Sequence, residues 1–380
     1  MDDHLNAQAE TADLWADLEP YHFQDRYHLI RSHRRFVTWG LCERLCQESA
    51  RLTAIDPDRA IEAAEMAVLV SDLLKAEEPS EAGRLYRLRS NAWAHDGNAR
   101  RVLGDLRNAE ESFSIAQAWW EAGSDAVGGC LQYESSLLDY EASLRIAQRR
   151  FPEALALLDR LFALHGDGSE HRDAHLAGRA LVKKALALQE MEEPELAIEL
   201  LKEAEALVDG DRDPRVLLCL RHNLLCNLVS VEEYEEARAM LPEVTSLCRE
   251  LGNPLDFVRL RWTEARIVAG LGHAEAALQL FEMLRQEFAA RDMAYDAALV
   301  MLELTALHAR AGRTAEVKQL SVEMARVFRA QNVPREALAA LLFFQKAAER
   351  ERATARLARE VAAFLEKLRS DPGMRFDLMR

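Results

Sequence analysis

The sequence has few cysteines and no long apolar run. Six cysteines are scattered over 380 residues without a dense spacing pattern, which indicates reduced thiols rather than disulfides. The longest uninterrupted apolar stretch, Ala337 to Phe344, is far too short to span a bilayer. The first residues, Met1 to His4, lack the basic and apolar regions of a signal peptide. We therefore expect a cytoplasmic protein without a membrane partner.

Basic residues are fewer than acidic residues. The chain has 48 lysines and arginines against 64 aspartates and glutamates, a formal charge of −16 and a pI near 5.3. A general nucleic-acid binder carries a basic field that replaces counterions around phosphates. The composition therefore argues against a nucleic-acid partner, although it leaves room for small local basic patches.

Strand patterns and catalytic motifs are absent from the sequence. No sustained run alternates apolar and polar residues. There is no Gly-x-Ser-x-Gly, no phosphate loop and no His-Glu-x-x-His. Cys219, His222 and Cys226 share a helical face, but the outer two are about 10 Å apart along the axis, too far to share one zinc. We expect no enzyme activity, no cofactor and no metal.

The sequence does contain an internal repeat. A long helical segment, a short turn and a second helical segment recur. One register position in the second segment, usually alanine, recurs every 40 residues at Ala197, Ala237, Ala277 and Val317. The spacing is 43 to 45 residues before that, from Ala109 through Ala154 to Ala197. Self-similarity at this period predicts an α-solenoid.

One hairpin shows which kind of solenoid this is. Its key positions fall at separations of 4, 7, 5, 4 and 3 residues: Trp93, Gly97, Gly104, Ala109, Phe113 and Ala116. This pattern resembles the tetratricopeptide repeat, in which small residues on one helix receive large side chains of its neighbour. The period exceeds the 34 residues usual for that family. Longer repeats of this kind resemble those in sensor arms of bacterial transcription regulators, which bind peptides, ligands or partner proteins.

The resemblance implies an all-α fold, an α-α superhelix of about eight helical hairpins over residues 33–370. We expect residues 1–32 to form an N-terminal docking or capping segment and residues 371–380 a C-terminal tail. The last helix, rich in arginine, reads as a solvated end cap. The predicted pairs are 33–54 with 58–74, 81–103 with 106–122, 127–149 with 152–165, 172–190 with 194–208, 214–230 with 233–250, 254–270 with 274–290, 293–310 with 314–330, and 335–349 with 352–369.

Polar stripes on the first helices of these pairs are the candidate binding residues. The resemblance places that face on the concave groove, and the stripes recur at helical spacing. Amide groups pair with a peptide backbone and arginines with carboxylates. Trp262 is a candidate anchor, with core packing as the alternative. The candidate partner-binding residues are Asn91, Asn98, Arg101, Arg172, His175, Arg179, Lys183, Arg259, Trp262 and Arg266.

The charge is unevenly distributed between first and second helices. Residues 190–213 contain ten acidic side chains, whereas residues 172–184 contain four basic ones, which predicts a negative outer surface and a groove with positive islands. We expect a non-enzymatic scaffold whose groove binds a protein or peptide segment with acidic groups. The alternative is a ligand-responsive sensor, which needs a closed pocket near Arg101, Arg179 or Arg266. The aromatic N-terminal segment is a candidate surface for self-association.

Overall fold

The computed structural model describes residues 11–376 apart from 54, 77, 124–130, 167, 171, 252–253, 331–334 and 371–372. The first ten residues and most of the predicted tail therefore lie outside the described part. Within it, every regular element is helical and no strand occurs. The predicted all-α class is confirmed. In the same residues, no helix has the length and apolarity needed to cross a membrane.

The chain divides into two compact units, Met1–Gly210 and Asp211–Arg380. The helices of unit 1 are 11–18 (α1), Phe23–Ser32 (α2), Trp39–Leu52 (α3), Pro57–Leu73 (α4), Pro79–Leu103 (α5), Leu106–Ala122 (α6), Leu131–Ala147 (α7), Phe151–His165 (α8), Ala174–Glu190 (α9) and Pro194–Glu205 (α10). The helices of unit 2 are Pro214–Ser230 (α11), Tyr234–Leu251 (α12), Pro254–Gly270 (α13), Ala274–Ala290 (α14), Ala294–Arg310 (α15), Thr314–Ala330 (α16), Arg335–Glu349 (α17) and Ala355–Ser370 (α18).

From α3 onward the helices form eight consecutive hairpins, as the repeat predicts. Within each unit, consecutive helices pack side by side, and the first helices of neighbouring hairpins also meet, as α3 does with α5 and α5 with α7. A hairpin therefore buries its apolar stripes mainly against its neighbours in sequence. This local packing lets a long chain grow without one large core.

The turn inside each of the six hairpins from α5–α6 to α15–α16 uses a left-handed residue at the same register position. Gly104, Gly272 and Gly312 have φ of 90°, 86° and 70°, and the equivalent position is Arg149, Glu192 or Glu232 in three other hairpins, with φ between 58° and 65°. After each of these residues a backbone N–H bonds back to a carbonyl five residues earlier, as Asp105 does to Arg100 at 3.0 Å. This is the αL helix ending of the Schellman type. The turn is conformationally the same in all six hairpins although its residue type changes.

The two N-terminal helices pack onto the first hairpin. Leu14, Trp15 and Leu18 of α1 and Ile30 of α2 are buried in one apolar cluster with residues of α3, α4 and α5. The described part of the predicted docking segment, from residue 11, is therefore ordered by ordinary apolar burial. Its role as a cap or docking element stays a prediction.

Two expectations about helix ends require correction. Residue Arg172 was predicted to begin the first helix of its pair, but α9 begins at Ala174 because Asp173 caps it, accepting the N–H of Leu176 at 3.1 Å. The last helix, α18, is not only a solvated cap. It packs on α15 as well as on α17, with Leu365 and Leu368 fully buried.

Candidate ligand-binding groove

The first helices of three successive hairpins in unit 1 bring their charged side chains together. Helix α5 packs on α7, and α7 packs on α9. Arg101 near the end of α5, Asp139 in the middle of α7, and Arg179 and Lys183 on α9 interact electrostatically with one another. We call Arg101, Asp139, Arg179 and Lys183 the groove cluster. The sequence predicted three of its four members.

Lys183 contacts three oxygen atoms of α7. Its Nζ lies 2.6 Å from Oδ1 of Asp139 and donates to Oγ of Ser143 at 2.8 Å and to the Asp139 carbonyl at 3.2 Å. An ammonium group has three donors; two of them have hydrogen-bond acceptors on α7, and the contact with Oδ1 of Asp139 is an ion pair without hydrogen-bond geometry. Lys183 therefore joins α9 to α7 and holds the Asp139 side chain in place.

The two arginines are less completely engaged. Arg179 Nη2 is 3.5 Å from Oδ2 of Asp139, and its side chain is 34% exposed. Arg101 donates from Nε and Nη2 to Oδ1 of Asn98 at 3.2 and 2.8 Å, which fixes its direction on α5. A guanidinium has five N–H donors, so both arginines retain donors for a ligand.

The groove cluster has an excess of positive charge. Burial raises the pKa of the Asp139 carboxyl, but Lys183, Arg179 and Arg101 outweigh that effect, so its pKa lies below the ordinary value. Burial lowers the pKa of Arg101, with the Asp139 charge acting in the opposite direction. Within the groove cluster one carboxylate faces three cations, so its four side chains together carry an excess of two positive charges. Such a site attracts an anion.

A buried aromatic pair lies beside the groove cluster. The rings of His95 on α5 and Tyr140 on α7 meet edge to face, with centroids 5.2 Å apart. Burial lowers the pKa of His95 to about 4 and raises the pKa of Tyr140. Both rings are therefore uncharged near neutral pH, and the partly exposed ring of Tyr140 lies next to the charged groups of the cluster.

Several candidate residues lie elsewhere than expected. Asn91 and Asn98 were predicted to line the groove, but only 4% and 6% of their surfaces are exposed, because neighbouring helices cover this face of α5. His175 is also buried, and its Nδ1 accepts the backbone N–H of Asp209 at 3.1 Å. Arg172 is exposed and precedes α9 rather than standing on its face.

The third predicted stripe lies on α13 in unit 2. Arg259 is exposed. Trp262 is half-buried and packs edge to face on Phe288, at a centroid distance of 5.7 Å, against the apolar core. Its role as an anchor stays a prediction. Arg266 forms an ion pair with Glu303 of α15 at 3.4 Å, and its side chain remains 41% exposed.

Arg266 lines a cleft of about 270 Å³ in unit 2. Helices α13 and α15 provide Arg266, Glu303 and Arg310, and α18 provides Arg359 and Glu366 on the opposite side. The cleft therefore exists because α18 folds back over the first helices of earlier hairpins. Among the residues that the structure describes, no group of three or more histidine, cysteine, aspartate or glutamate side chains is placed to hold a metal.

Sequence reasoning missed Asp139, the residue that organises the groove cluster. Asp139 is an acidic residue in a helix that also contains Glu134 and Glu141, so nothing within that helix distinguishes it. The usable signal was a pairing across repeats: an acidic residue on one first helix and two basic residues on the next. In α10, the second helix of the hairpin that begins with α9, Glu195, Glu199 and Glu203 are all exposed. These carboxylates are therefore solvated and do not belong to the groove cluster.

No known family model and no curated protein matches this sequence, but solved structures do. A Rap protein complexed with Competence and Sporulation Factor aligns over 87% of this chain and 94% of its own, at 12% identity and a TM-score of 0.55. The apo form of RapI aligns over 86% of each chain at 13% identity and a TM-score of 0.59. A tetratricopeptide repeat protein from Parabacteroides merdae aligns over 80% of this chain and 98% of its own, at 14% identity and a TM-score of 0.46. This chain has a tetratricopeptide-like helical-repeat fold, as its sequence pattern predicted.

Proposed function

We propose that this chain is a non-catalytic helical-repeat protein that binds a peptide or protein segment through a carboxylate of that partner. The observation that carries the proposal is the excess positive charge of the groove cluster in a protein whose overall charge is −16. A positively charged site on a negatively charged protein concentrates anions at that site. Arg101 and Arg179 are the groups that contact the carboxylate, and Lys183 positions Asp139.

The chemistry of the site favours a peptide over a simple ion. An exposed ion pair contributes only about 0–1 kcal/mol, so two arginines alone bind a small anion weakly. A peptide adds apolar contacts, for which the half-buried ring of Tyr140 is available. Arginine forks also bind carboxylates in two parallel hydrogen bonds, which sets the orientation of the bound chain.

The fold supports a binding role. One of the similar structures holds a Rap protein in complex with Competence and Sporulation Factor, so this helical-repeat architecture accommodates a ligand. We place the protein in the cytoplasm on the strength of its sequence. We exclude nucleic acid from its partners on the charge argument. Self-association through the N-terminal segment stays a prediction.

A peptide array tests the proposal directly. The purified protein is applied to arrayed peptides of varied sequence, each present with a free C-terminal carboxylate and as an amide. Binding peptides are then measured by fluorescence anisotropy against the wild type and against Arg179→Gln and Arg101→Gln. We expect each substitution to weaken a carboxylate-bearing peptide by about tenfold, because a charge-assisted hydrogen bond is lost.

Arg107→Gln is the matched control, since Arg107 is exposed on α6, the second helix of the hairpin that carries Arg101. It should leave the affinity unchanged. Equal affinities for wild type, Arg101→Gln and Arg179→Gln, with folding intact by circular dichroism, would remove the groove cluster from the binding site.

A second candidate function, a ligand-responsive sensor, is favoured by the cleft beside Arg266. The cleft is shared between the fixed first helices of unit 2 and the terminal helix α18. A ligand that contacts Arg266 or Arg310 on one side and Arg359 on the other changes how strongly α18 packs on the rest of unit 2. Ligand binding then moves α18.

Hydrogen exchange of α18 distinguishes the two functions. If a peptide from the array changes amide exchange in residues 355–370, and Arg310→Gln abolishes that change, the sensor function is supported. If the same peptide protects only α5, α7 and α9, the protein is a scaffold that binds without signalling through α18.

A further inference from the structure

A second cavity in unit 1 lies away from the groove cluster and has the opposite chemistry. It measures about 440 Å³, is open to solvent and is lined by α2, α4 and α5. Its walls include three aromatic rings, those of Phe23 and Tyr27 on α2 and Trp93 on α5. We call it the aromatic pocket. Nothing in the proposed function uses it.

Each helix turns one regular stripe toward the aromatic pocket. Helix α4 contributes Glu65, Leu69 and Asp72, which stand at i, i+4 and i+7 and so share one face. Helix α5 contributes Trp93 and Arg100 at i and i+7. The pocket is therefore built by the regular helix register of three packed helices rather than by a loop.

The carboxylates of the aromatic pocket outnumber its cations. Arg100 is the cation of the lining, and it is shared between Asp96 at 2.7 Å and Glu65 at 2.9 Å. Asp72 takes part in none of the ion pairs found in the described residues. The nearby Arg89 instead donates to the carbonyls of Ser71 and Leu74.

Partial burial disfavours the ionised forms of Glu65 and Asp72. Burial raises the pKa of Glu65 despite the Arg100 charge, and burial likewise raises the pKa of Asp72 despite the charge of Arg89. A cation placed in the pocket would relieve both groups, because an opposite charge favours the ionised carboxylate.

The aromatic rings favour an organic cation over a metal ion. Rings attract a cation through the negative potential of their faces, and a desolvated site strengthens that attraction. Phe23 and Tyr27 lie 6.0 Å apart, centroid to centroid, with their planes tilted by 59°, so they form two walls that meet at an angle. A hard metal ion would require a dense set of oxygen ligands, whereas two of the three carboxylates here, those of Glu65 and Asp96, already pair with Arg100.

We propose that the aromatic pocket binds an organic monocation of the guanidinium or alkylammonium class, seated between the rings of Phe23, Tyr27 and Trp93 with Asp72 as its counter-charge. The same chemistry is offered by a free small molecule and by an arginine or lysine side chain of a peptide. The site is independent of the groove cluster, so either proposal stands if the other fails.

Calorimetric titration of the full chain at low salt tests the site. The probes are methylguanidinium, as a free cation, and Nα-acetyl-arginine amide, as a cation carried on a peptide unit. Nα-acetyl-citrulline amide is the neutral control, with nearly the same shape as the arginine probe. We expect both cations to bind and the citrulline compound not to bind. Tighter binding of the arginine amide identifies a side chain as the natural occupant, and tighter binding of methylguanidinium identifies a small molecule.

Two variants locate the binding. Asp72→Asn should weaken the cations at least tenfold, and it should leave the fold intact because Asp72 is an exposed residue. Asp58→Asn, an exposed aspartate at the other end of α4, should have no effect. Tyr27→Leu should weaken binding about threefold through the lost ring. The proposal is overturned if neither cation binds the wild type, if citrulline amide binds as well as arginine amide, or if Asp72→Asn binds like the wild type.

Discussion

Gly97 on α5 lies directly against the ring of Phe113 on α6. A Cβ atom built on Gly97 would stand 2.8 Å from Cε2 and 2.9 Å from Cδ2 of that ring, closer than a carbon contact allows. Phe113 itself is fully buried, beside Ala109 and Ala116. The close crossing of α5 and α6 therefore depends on the absence of a side chain at residue 97.

Gly97→Ala should consequently destabilise unit 1. Overpacking a rigid core costs about 1–3 kcal/mol, and the better helix propensity of alanine recovers up to about 1 kcal/mol. We expect a net loss of about 1–2 kcal/mol, measured as a lower midpoint in urea.

Adding Phe113→Leu to Gly97→Ala provides the control. If the clash causes the loss, the double variant should be more stable than the sum of the single effects predicts, because the smaller side chain makes room. Strict additivity would show that the two positions do not interact.

The turn residues allow a prediction at equivalent positions of successive repeats. Glu232 and Gly272 both adopt left-handed backbone, with φ of 63° and 86°, and that conformation favours glycine. Glu232→Gly should stabilise unit 2 or leave it unchanged, whereas Gly272→Ala should destabilise it by about 1 kcal/mol. Urea unfolding of both variants checks this. The same sign for both substitutions would mean that the turn conformation does not control their effects.

These turns show which features of the fold the sequence predicts well. The repeat register identified Gly104, Arg149, Glu192, Glu232, Gly272 and Gly312 as equivalent, and all six adopt the same left-handed backbone. Local features such as turns, caps and small-to-large packing depend on residues close in sequence. A periodic pattern therefore predicts them well.

Features that depend on contacts between hairpins were predicted less well. Arg179 and Lys183 were identified as candidates, but their partner Asp139 is 40 or more residues earlier in the chain, and a search along single helices does not pair them. The packing of α18 on α15 was missed for the same reason. Its arginines suggested a solvated end, and although Ala358, Val361, Leu365 and Leu368 form an apolar stripe at helical spacing, the sequence does not show that this stripe packs on α15.

Leu365→Ala tests the contribution of α18 to unit 2. Leu365 is fully buried in the same cluster as Phe344 and Leu302, and removing a buried leucine side chain costs about 2–5 kcal/mol. The midpoint of the unfolding of unit 2 should therefore be lower than in the wild type. Arg356→Ala, at a position whose side chain is 85% exposed, should change stability by less than about 0.5 kcal/mol. A similar small effect of Leu365→Ala would mean that α18 is held only loosely.

Asp139→Asn should change affinity and stability in opposite directions. It leaves Lys183 and Arg179 without a counter-charge, and breaking such a buried pair costs about 3–5 kcal/mol. The same change raises the positive charge of the groove cluster, so a carboxylate-bearing peptide should bind more tightly, by up to about tenfold. Thermal melting and anisotropy measure the two effects separately. Weaker peptide binding by a folded Asp139→Asn would contradict the assignment of the groove cluster as an anion site.

The pH dependence of stability should reveal His95. Burial lowers its pKa to about 4, whereas an unfolded histidine titrates near 6.5. Between these values the unfolded chain binds the proton more readily than the folded chain, so stability is fully present above about pH 6.5 and is lost as the pH falls toward 4. From pH 7 to pH 5 this single group should lower the free energy of unfolding by about 2 kcal/mol.

Two variants test this pH dependence. The free energy of unfolding of His95→Gln should fall less steeply with pH, and this variant also loses the ring contact with Tyr140 at every pH. His28→Gln, at an exposed position on α2, should keep the wild-type slope. Urea midpoints at pH 7 and pH 5 for the three proteins decide the matter, because only a histidine that is buried in its neutral form makes the slope of His95→Gln shallower than that of His28→Gln.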